Sequence, residues 1–424
     1  MDNIGSNILG ISAKSLHAGR TAKRGAGSVD SGVVAKSRRY TLQRTAQALL
    51  YNGDKEAEQQ VRVCWCCRTV KTRGEAVGVY RTVEGTGARF SGLTTCGSVW
   101  HCPVCSAKVT EARRRELDLA LTAWVKGAGL VQLMTLTFPH ETGQDLGALM
   151  PKFVKVLQRF KNSRGYKRIM ADAGRVGSIR SLEVTWGANG WHPHTHDLVF
   201  LTRDLTLTEV DTLKSEWVKQ CLKACLGDQS QLSDMLEHGL DVQDGRYAAE
   251  YIAKFGHDSE WGAAAEMTKP HGKVGRVGEF GGADHYTPFQ LLSWAEGGDD
   301  QAAALFREFA GVFEGRRMLS WSPKLRLLLT GKEHELSDEE IAAHEDSVPD
   351  EARIGELNLD QFRVLLSRNR LGDFLGYVAR CCADPATGQQ DIDDYVAAVS
   401  RIKVTHGSAY RKRNDFGPGY SVLT

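Results

Sequence analysis

The spacing of hydrophobic and polar positions changes several times along this chain, and each change marks an element. From Leu146 to Phe160, the residues Leu149, Phe153, Val156, Leu157 and Phe160 recur three and four apart, the stripe of an amphipathic helix. Residues 107–127 and 207–226 also read as helices, the first stopped by Gly127 and Gly129. Between them, "LVQLMTLTF", "SLEVTW" (Ser181 to Trp186) and "WHPHTHDLVFL" have the length and the β-branched and aromatic content of strands. Gly187-Ala188-Asn189-Gly190 is a turn signal, so a hairpin spans 176–201. "GLDVQ" is a further short strand, and "DGRYAAEYIAKFG" a helix that ends at Gly256. The order strand, helix, strand, strand, helix, strand, helix predicts an α+β fold, an antiparallel sheet palm with helices on one side.

Outside this central run the pattern is weaker. Residues 1 to about 45 are rich in Gly, Ser, Lys and Arg and read as a flexible arm, with a short helix at "RYTLQRTAQALL". "FQLLSWAEGGDDQAAALFREFAGVFEG" reads as two helices. The acidic stretch 333–351 leads to two apolar-striped helices near 359–381 and 391–403. The expected organisation is a basic arm and short helix (1–60), a cysteine-rich module (61–106), a catalytic domain (107–265), a basic and helical accessory segment (266–330), and an acidic linker with C-terminal helices (331–424).

The 424 residues and their composition are those of an ordinary soluble protein, and no run of eighteen apolar residues suggests a membrane span. The start lacks the charged-then-apolar order of a secretory signal, so a cytoplasmic location is expected. A net charge of +2 does not by itself indicate nucleic acid. Its distribution does more: the first fifty residues are basic, Arg113 and Arg114 stand in the helix after the cysteines, and Lys273 and Arg276 lie in a Gly-rich basic stretch. Those four residues are candidate DNA contacts.

Six of the ten cysteines fall between residues 64 and 105. Cys64/Cys67 and Cys102/Cys105 form two C-x-x-C pairs, the knuckles of a closed tetrahedral zinc site. Cys66, Cys96 and His101 remain as substitutes or as a second partial site. "GVYRTVEGTGARFSGL" reads as a hairpin inserted between the pairs. Cys221 and Cys225 lie four apart on a helical pattern and read as core residues.

His192, His194 and His196 fall on alternate strand positions and so share one face. If the four turn residues form the hairpin loop, Trp186 pairs with Trp191 and Glu183 lies opposite His194. A carboxylate and two or three imidazoles on one patch suit a divalent metal, with Glu183 or His192 as third ligand. Tyr247, Tyr251 and Lys254, spaced i, i+4, i+7, share a helix face. A tyrosine has a pKa near 10, so about one in a thousand is ionised at neutral pH, and a nucleophilic role needs a nearby cation.

"LMTLTFPH", "WHPHTHDLVFL" and "YAAEYIAKFG" occur in that order. The set resembles the rolling-circle plasmid replication initiators of the HUH endonuclease superfamily. It matches in Thr135-Leu136-Thr137, in the pair His194 and His196, and in Tyr251 followed by Lys254. "TCGSVWHCPVCSAKV" and, more loosely, "GRRMLSWSPKLR" extend the resemblance over residues 60 to 330. Thr195 departs from the bulky apolar residue usual between the two histidines, and Tyr247 stands where some members carry Glu. The resemblance implies an HUH nickase domain. Its catalytic site would hold a divalent metal (Mn2+ or Mg2+), beside structural Zn2+. Tyr251 would cut one strand of origin DNA, single-stranded or extruded at the nick, and keep the 5′ phosphate. Tyr247 would be a second nucleophile, or would merely pack beside the first. No G-x-x-x-x-G-K-[ST] is present, so unwinding and synthesis would come from a host helicase and DNA polymerase. Assembly into a homo-oligomer is left open. An HUH transposase or relaxase, or a zinc-stabilised DNA-binding regulator with an inactive metal site, are the competing readings.

Overall fold

The computed structural model describes residues 27–82, 87–244, 285–344 and 351–402. In chain order its elements are α1 (Gly27–Leu50), β1 (Val77–Thr82), β2 (Ala88–Ser91), α2 (Pro103–Lys126), β3 (Leu130–Leu136), α3 (Leu146–Asn162), α4 (Arg164–Asp172), β4 (Gly177–Gly187), β5 (Gly190–Leu201), α5 (Leu207–Lys223), α6 (Leu232–His238) and β6 (Leu240–Asp244). They continue with β7 (His285–Tyr286), α7 (Pro288–Glu296), α8 (Asp300–Phe313), β8 (Leu319–Trp321), α9 (Leu325–Thr330), α10 (Asp338–Ala343), β9 (Glu351–Leu357), α11 (Leu359–Ser367), α12 (Leu371–Cys381) and α13 (Pro385–Ser400). The fold is α+β, with two antiparallel sheets.

The larger sheet runs β6-β3-β5-β4-β7, with β8 also paired to β4. Its centre is the long hairpin β4–β5, in which Glu183 pairs with His194, Trp186 with Trp191 and Gly187 with Gly190. The turn is therefore the two residues Ala188-Asn189. Gly190 has φ +84°, and a Cβ there would lie 2.9 Å from the Glu141 carbonyl oxygen, so both backbone angle and space call for glycine. Thr135 of β3 pairs with His196, which sets the "TLT" segment alongside the histidine strand.

Alternation gives β5 two faces. Val199 and Leu201 join Met134, Leu136, Leu182 and Val184 in a core closed by α3, α5, α7 and α8, with Phe153, Phe160 and Trp217 at its centre. Leu198 and Phe200 point the other way, under Leu117 and Leu121 of α2 and Leu325 and Leu329 of α9. Helices thus cover both faces, not one. The second cover was hidden in the sequence because only the far half of β5 is apolar on that face. The near half carries His192, His194 and His196.

The smaller sheet, β2-β1-β9, joins the predicted cysteine hairpin to a strand from the acidic C-terminal stretch. Its core mixes Val77, Val79 and the buried cysteines with Phe362, Phe374 and Ile392 of the C-terminal helices. α1 is twice as long as the predicted helix and lies between the two cores. Leu42, Ala46 and Leu49 join the larger core, and Tyr40 and Leu50 pack against the smaller one. Near its middle the helix is fastened: Ser37 donates to Asp373 at 2.5 Å and Arg38 pairs with Glu296 at 2.9 Å.

Candidate metal centres and nucleic-acid contacts

Glu183, on β4, reaches across the hairpin to both histidines. Its Oε2 lies 2.6 Å from His194 Nε2 and 3.1 Å from His196 Nε2. The other ring nitrogens are also engaged. His196 Nδ1 lies 3.0 Å from Thr135 Oγ1, and His194 Nδ1 lies 3.2 Å from the His192 carbonyl oxygen. That carbonyl can only accept, so His194 Nδ1 carries the proton. The Thr135 hydroxyl can accept from His196 in the same way. Both rings then aim Nε2 at Glu183, where it donates to the carboxylate when protonated and can ligate a cation once that proton is lost. Two ligands at right angles on arms of about 2.1 Å stand about 3 Å apart, which matches these separations. Burial opposes ionisation of Glu183, but hydrogen bonds and charge from His194 and His196 outweigh it and hold the carboxyl down at about 2. The donor set fits a divalent cation.

His192 stands outside this group. Its Nε2 meets Thr137 Oγ1 at 2.6 Å, and its ring stacks on His140 with centroids 4.5 Å apart. Of the two third ligands the sequence allowed, the structure brings Glu183 to the pair. Thr135, Thr137 and His140 were not read from sequence as parts of this patch. The signal was present in the alternation of β3, which puts Thr135 and Thr137 on the histidine face.

The cysteine site differs from the two C-x-x-C pairs expected. The thiols that converge are Cys66, Cys96, Cys102 and Cys105, all buried. Cys66 Sγ lies 3.7 Å from Cys102 and 3.4 Å from Cys105, and Cys96 lies 3.7 Å from Cys105. A tetrahedron with arms of about 2.3 Å has edges of about 3.8 Å. Cys102 caps the N-terminus of α2, and its sulfur accepts from the Cys105 N–H and from Gln43 Nε2. Hydrogen bonds from Cys102, Cys66 and Cys96 pull the Cys105 thiol well below its ordinary value. A closed set of four thiols with donors aimed at sulfur fits zinc.

Cys64 and Cys67 are displaced from this set by local backbone. A single 3-10 turn at Arg62–Trp65 directs Cys64 toward the Gln47 carbonyl oxygen, 3.9 Å away, and burial pushes its thiol up to about 12. Cys67 takes a left-handed conformation (φ 55°) in which its N–H bonds the Thr94 carbonyl oxygen at 2.8 Å. His101 lies outside the converging set, with its Nε2 2.9 Å from the Ala310 carbonyl oxygen.

Arg113 and Arg114 are not the free cations their spacing suggested. Arg113 is buried and paired with Glu116, Glu335 and Asp338. Arg114 is shared by Glu111 and Asp118. Arg113 thereby ties α2 to residues 335–338, whereas both partners of Arg114 lie on α2 itself. Tyr247, Tyr251, Lys254, Lys273 and Arg276 lie outside the described residues. None of the described helices is long and apolar enough to cross a membrane.

Comparison with known proteins agrees with the strand motifs. "Protein rep" of Streptomyces lividans is 27% identical over 341 residues, 65% of this chain and 73% of that protein. A Streptomyces cyanogenus protein named "Neomycin resistance protein" is 29% identical over 146 residues, 28% of this chain and 33% of that protein. No solved structure matches. The model of the Rep family of replication proteins matches residues 89–370, which take in Glu183, His194 and His196 and three of the four converging cysteines, and the chain belongs to that family.

Proposed function

We propose that this protein initiates rolling-circle replication of a plasmid by nicking one strand of its origin as an HUH endonuclease. The observation that carries the reading is the convergence of Glu183, His194 and His196, with Thr135 of the "TLT" strand directly behind His196. Thr135 and His196, 61 residues apart in sequence, thus meet in adjacent strands.

In this reading His194 and His196, through Nε2, and Glu183, through its carboxylate, hold a divalent cation. When bound, it offsets charge on the non-bridging oxygens of the scissile phosphate. Thr135 and the His192 carbonyl fix the imidazole orientations, so no reorientation is needed when DNA arrives. Tyr251 attacks the phosphorus, the bond to the 3′ oxygen breaks, and the strand leaves a 3′ hydroxyl and a 5′ phosphotyrosine. Lys254, three residues further along the chain, lowers the cost of the phenolate. The ester conserves the bond energy, so rejoining needs no ATP. Cys66, Cys96, Cys102 and Cys105 hold a structural zinc that takes no part in the chemistry.

The test is cleavage of supercoiled DNA carrying candidate origins, with manganese. The wild type should give open circles with protein on the 5′ end, and Tyr251→Phe should give neither. Full nicking by Tyr251→Phe would reject the assignment. Absence of nicking on every origin tried, with origin binding intact, would favour the regulator reading.

A further inference from the structure

With Arg113 and Arg114 committed to internal ion pairs, the unspent positive charge lies elsewhere. A groove of about 800 Å³ opens between the end of α3, the start of α4 and the outer side of α5. Arg159, Arg164, Lys219 and Lys223 line it, all exposed, with Glu216 the one carboxylate in the lining. Residues 146–171 hold seven lysines and arginines and no carboxylate, in a chain whose net charge is only +2. One of the seven, Lys161, turns inward to the buried Asp197. Arg159, Arg164 and Lys223 have no hydrogen-bonding or ionic partner among the described residues, nor do Lys152 and Lys155. Lys152 and Lys155 continue the Arg159 stripe back along α3. The N-terminus of α4 opens on the same groove at Ser163 and Gly165, adding the positive end of a helix dipole.

We propose that this groove binds the phosphate backbone of duplex DNA flanking the cleavage site, on the opposite side of the sheet from Glu183, His194 and His196. The proposal rests on the DNA-directed reading above and adds a second DNA surface to it. The partner follows from the lining. Long, exposed cations suit phosphates, and six of them, five without a partner and Lys219 shared with Glu216 at 3.5 Å, exceed what a small anion needs. No aromatic side chain lines the groove, so it offers no platform for stacking unpaired bases, as a single-strand groove would. The position follows from the fold. α3 and α5 pack on the sheet face away from the histidines, so a helical layer about 10 Å thick separates the two surfaces. Origin DNA engaging both must bend or wrap around the domain edge. Duplex held on the helical side would leave the histidine face to the exposed strand.

The experiment uses the full chain with Arg159, Arg164, Lys219 and Lys223 all changed to Gln. Binding to a duplex of about 30 base pairs is measured against salt, without added divalent metal. Each phosphate contact contributes about 0.9 to the slope of log K against log salt, so the slope should fall by about three. A control variant with Arg317, Lys332, Arg353 and Arg401 changed to Gln should keep the parent slope. Thermal melting confirms folding. Should the fourfold variant not fold, the pairs Arg159/Arg164 and Lys219/Lys223, changed separately, should each remove about half the effect. A slope unchanged from the parent, or an equal fall in the control, overturns the proposal. So does undiminished duplex binding with loss of an acidic protein partner instead. Cleavage of a single-stranded oligonucleotide separates the two readings. A chain that binds duplex through the groove but never cuts sinks the nickase reading alone. A chain that cuts but whose duplex binding ignores the four substitutions sinks this one alone.

Discussion

Each imidazole at the metal face has one nitrogen tied back and one presented to Glu183, and the two restraints differ in kind. His194 is oriented by a backbone carbonyl that no substitution removes, whereas His196 depends on the Thr135 hydroxyl. Thr135→Val should therefore weaken metal binding by about 10- to 100-fold while leaving the strand intact, since valine suits a strand as well as threonine does. Isothermal titration with manganese checks this, and unchanged affinity would show that Thr135 does not orient the ring. Glu183→Ala should abolish measurable binding, and His192→Ala should change it less than twofold, because His192 Nε2 is turned to Thr137. The reverse ranking would place His192 in the ligand set. The cysteines allow an equally sharp test. Cys66→Ser or Cys96→Ser should lose zinc, and Cys64→Ser should retain one zinc per chain by metal analysis. Zinc lost from Cys64→Ser and kept in Cys96→Ser would restore the pairing that spacing alone suggests.

At the scale of elements, what could be read in the sequence follows from how local the signal is. The β4–β5 hairpin was legible because its period of two, its terminal glycines and its short turn fix one register, and that register alone placed Glu183 opposite His194. The cysteine set was not, because spacing says which thiols are close along the chain and not which way a 3-10 turn points them. β9 was hidden at the end of an acidic run. Only Ile354 and Leu357 bury apolar side chains there, and a register shift in β1 at Val79/Tyr80 breaks the alternation of its partner. The length of α1 was hidden by its Gly, Ser and Lys content, since contacts of Ser37 and Arg38 with distant elements add what propensity does not. One of these contacts makes a prediction of sign. Gly372 sits in α12 where a Cβ would lie 2.4 Å from Ser37 Cα. By propensity, glycine to alanine in a helix is favourable by up to about 1 kcal/mol. Here overpacking against α1 backbone should dominate, and Gly372→Ala should destabilise by about 1–3 kcal/mol in urea unfolding. A stabilised variant would mean that α1 does not press on α12.

For the whole molecule, the consequence is that residues 40–109 and 351–400 build one unit around the cysteines. Phe90, from the hairpin between the cysteines, stacks on Phe374 at 5.8 Å and meets Phe362 edge-on at 6.1 Å, more than 270 residues away in sequence. Arg81 Nε donates to the Ala379 carbonyl at 3.0 Å and Arg44 to that of Leu366 at 2.7 Å, so β1 and α1 are both fastened to the C-terminal helices. A linker carrying an independent tail would show neither a paired strand nor a common core. Truncating a fully buried phenylalanine costs about 3–5 kcal/mol. Phe374→Ala should therefore loosen not only α11–α13 but also β1, β2 and the turn that carries Cys66. Hydrogen exchange should rise in residues 63–93 and 351–400 together, and zinc should be released faster to a chelator. The sheet holding Glu183 and the histidines has its own core under α3, α5 and α8 and should keep its protection. If exchange rises only in 359–400 and zinc release is unchanged, the C-terminal helices rest on the cysteine unit without stabilising it, and the shared core is a contact rather than a fold.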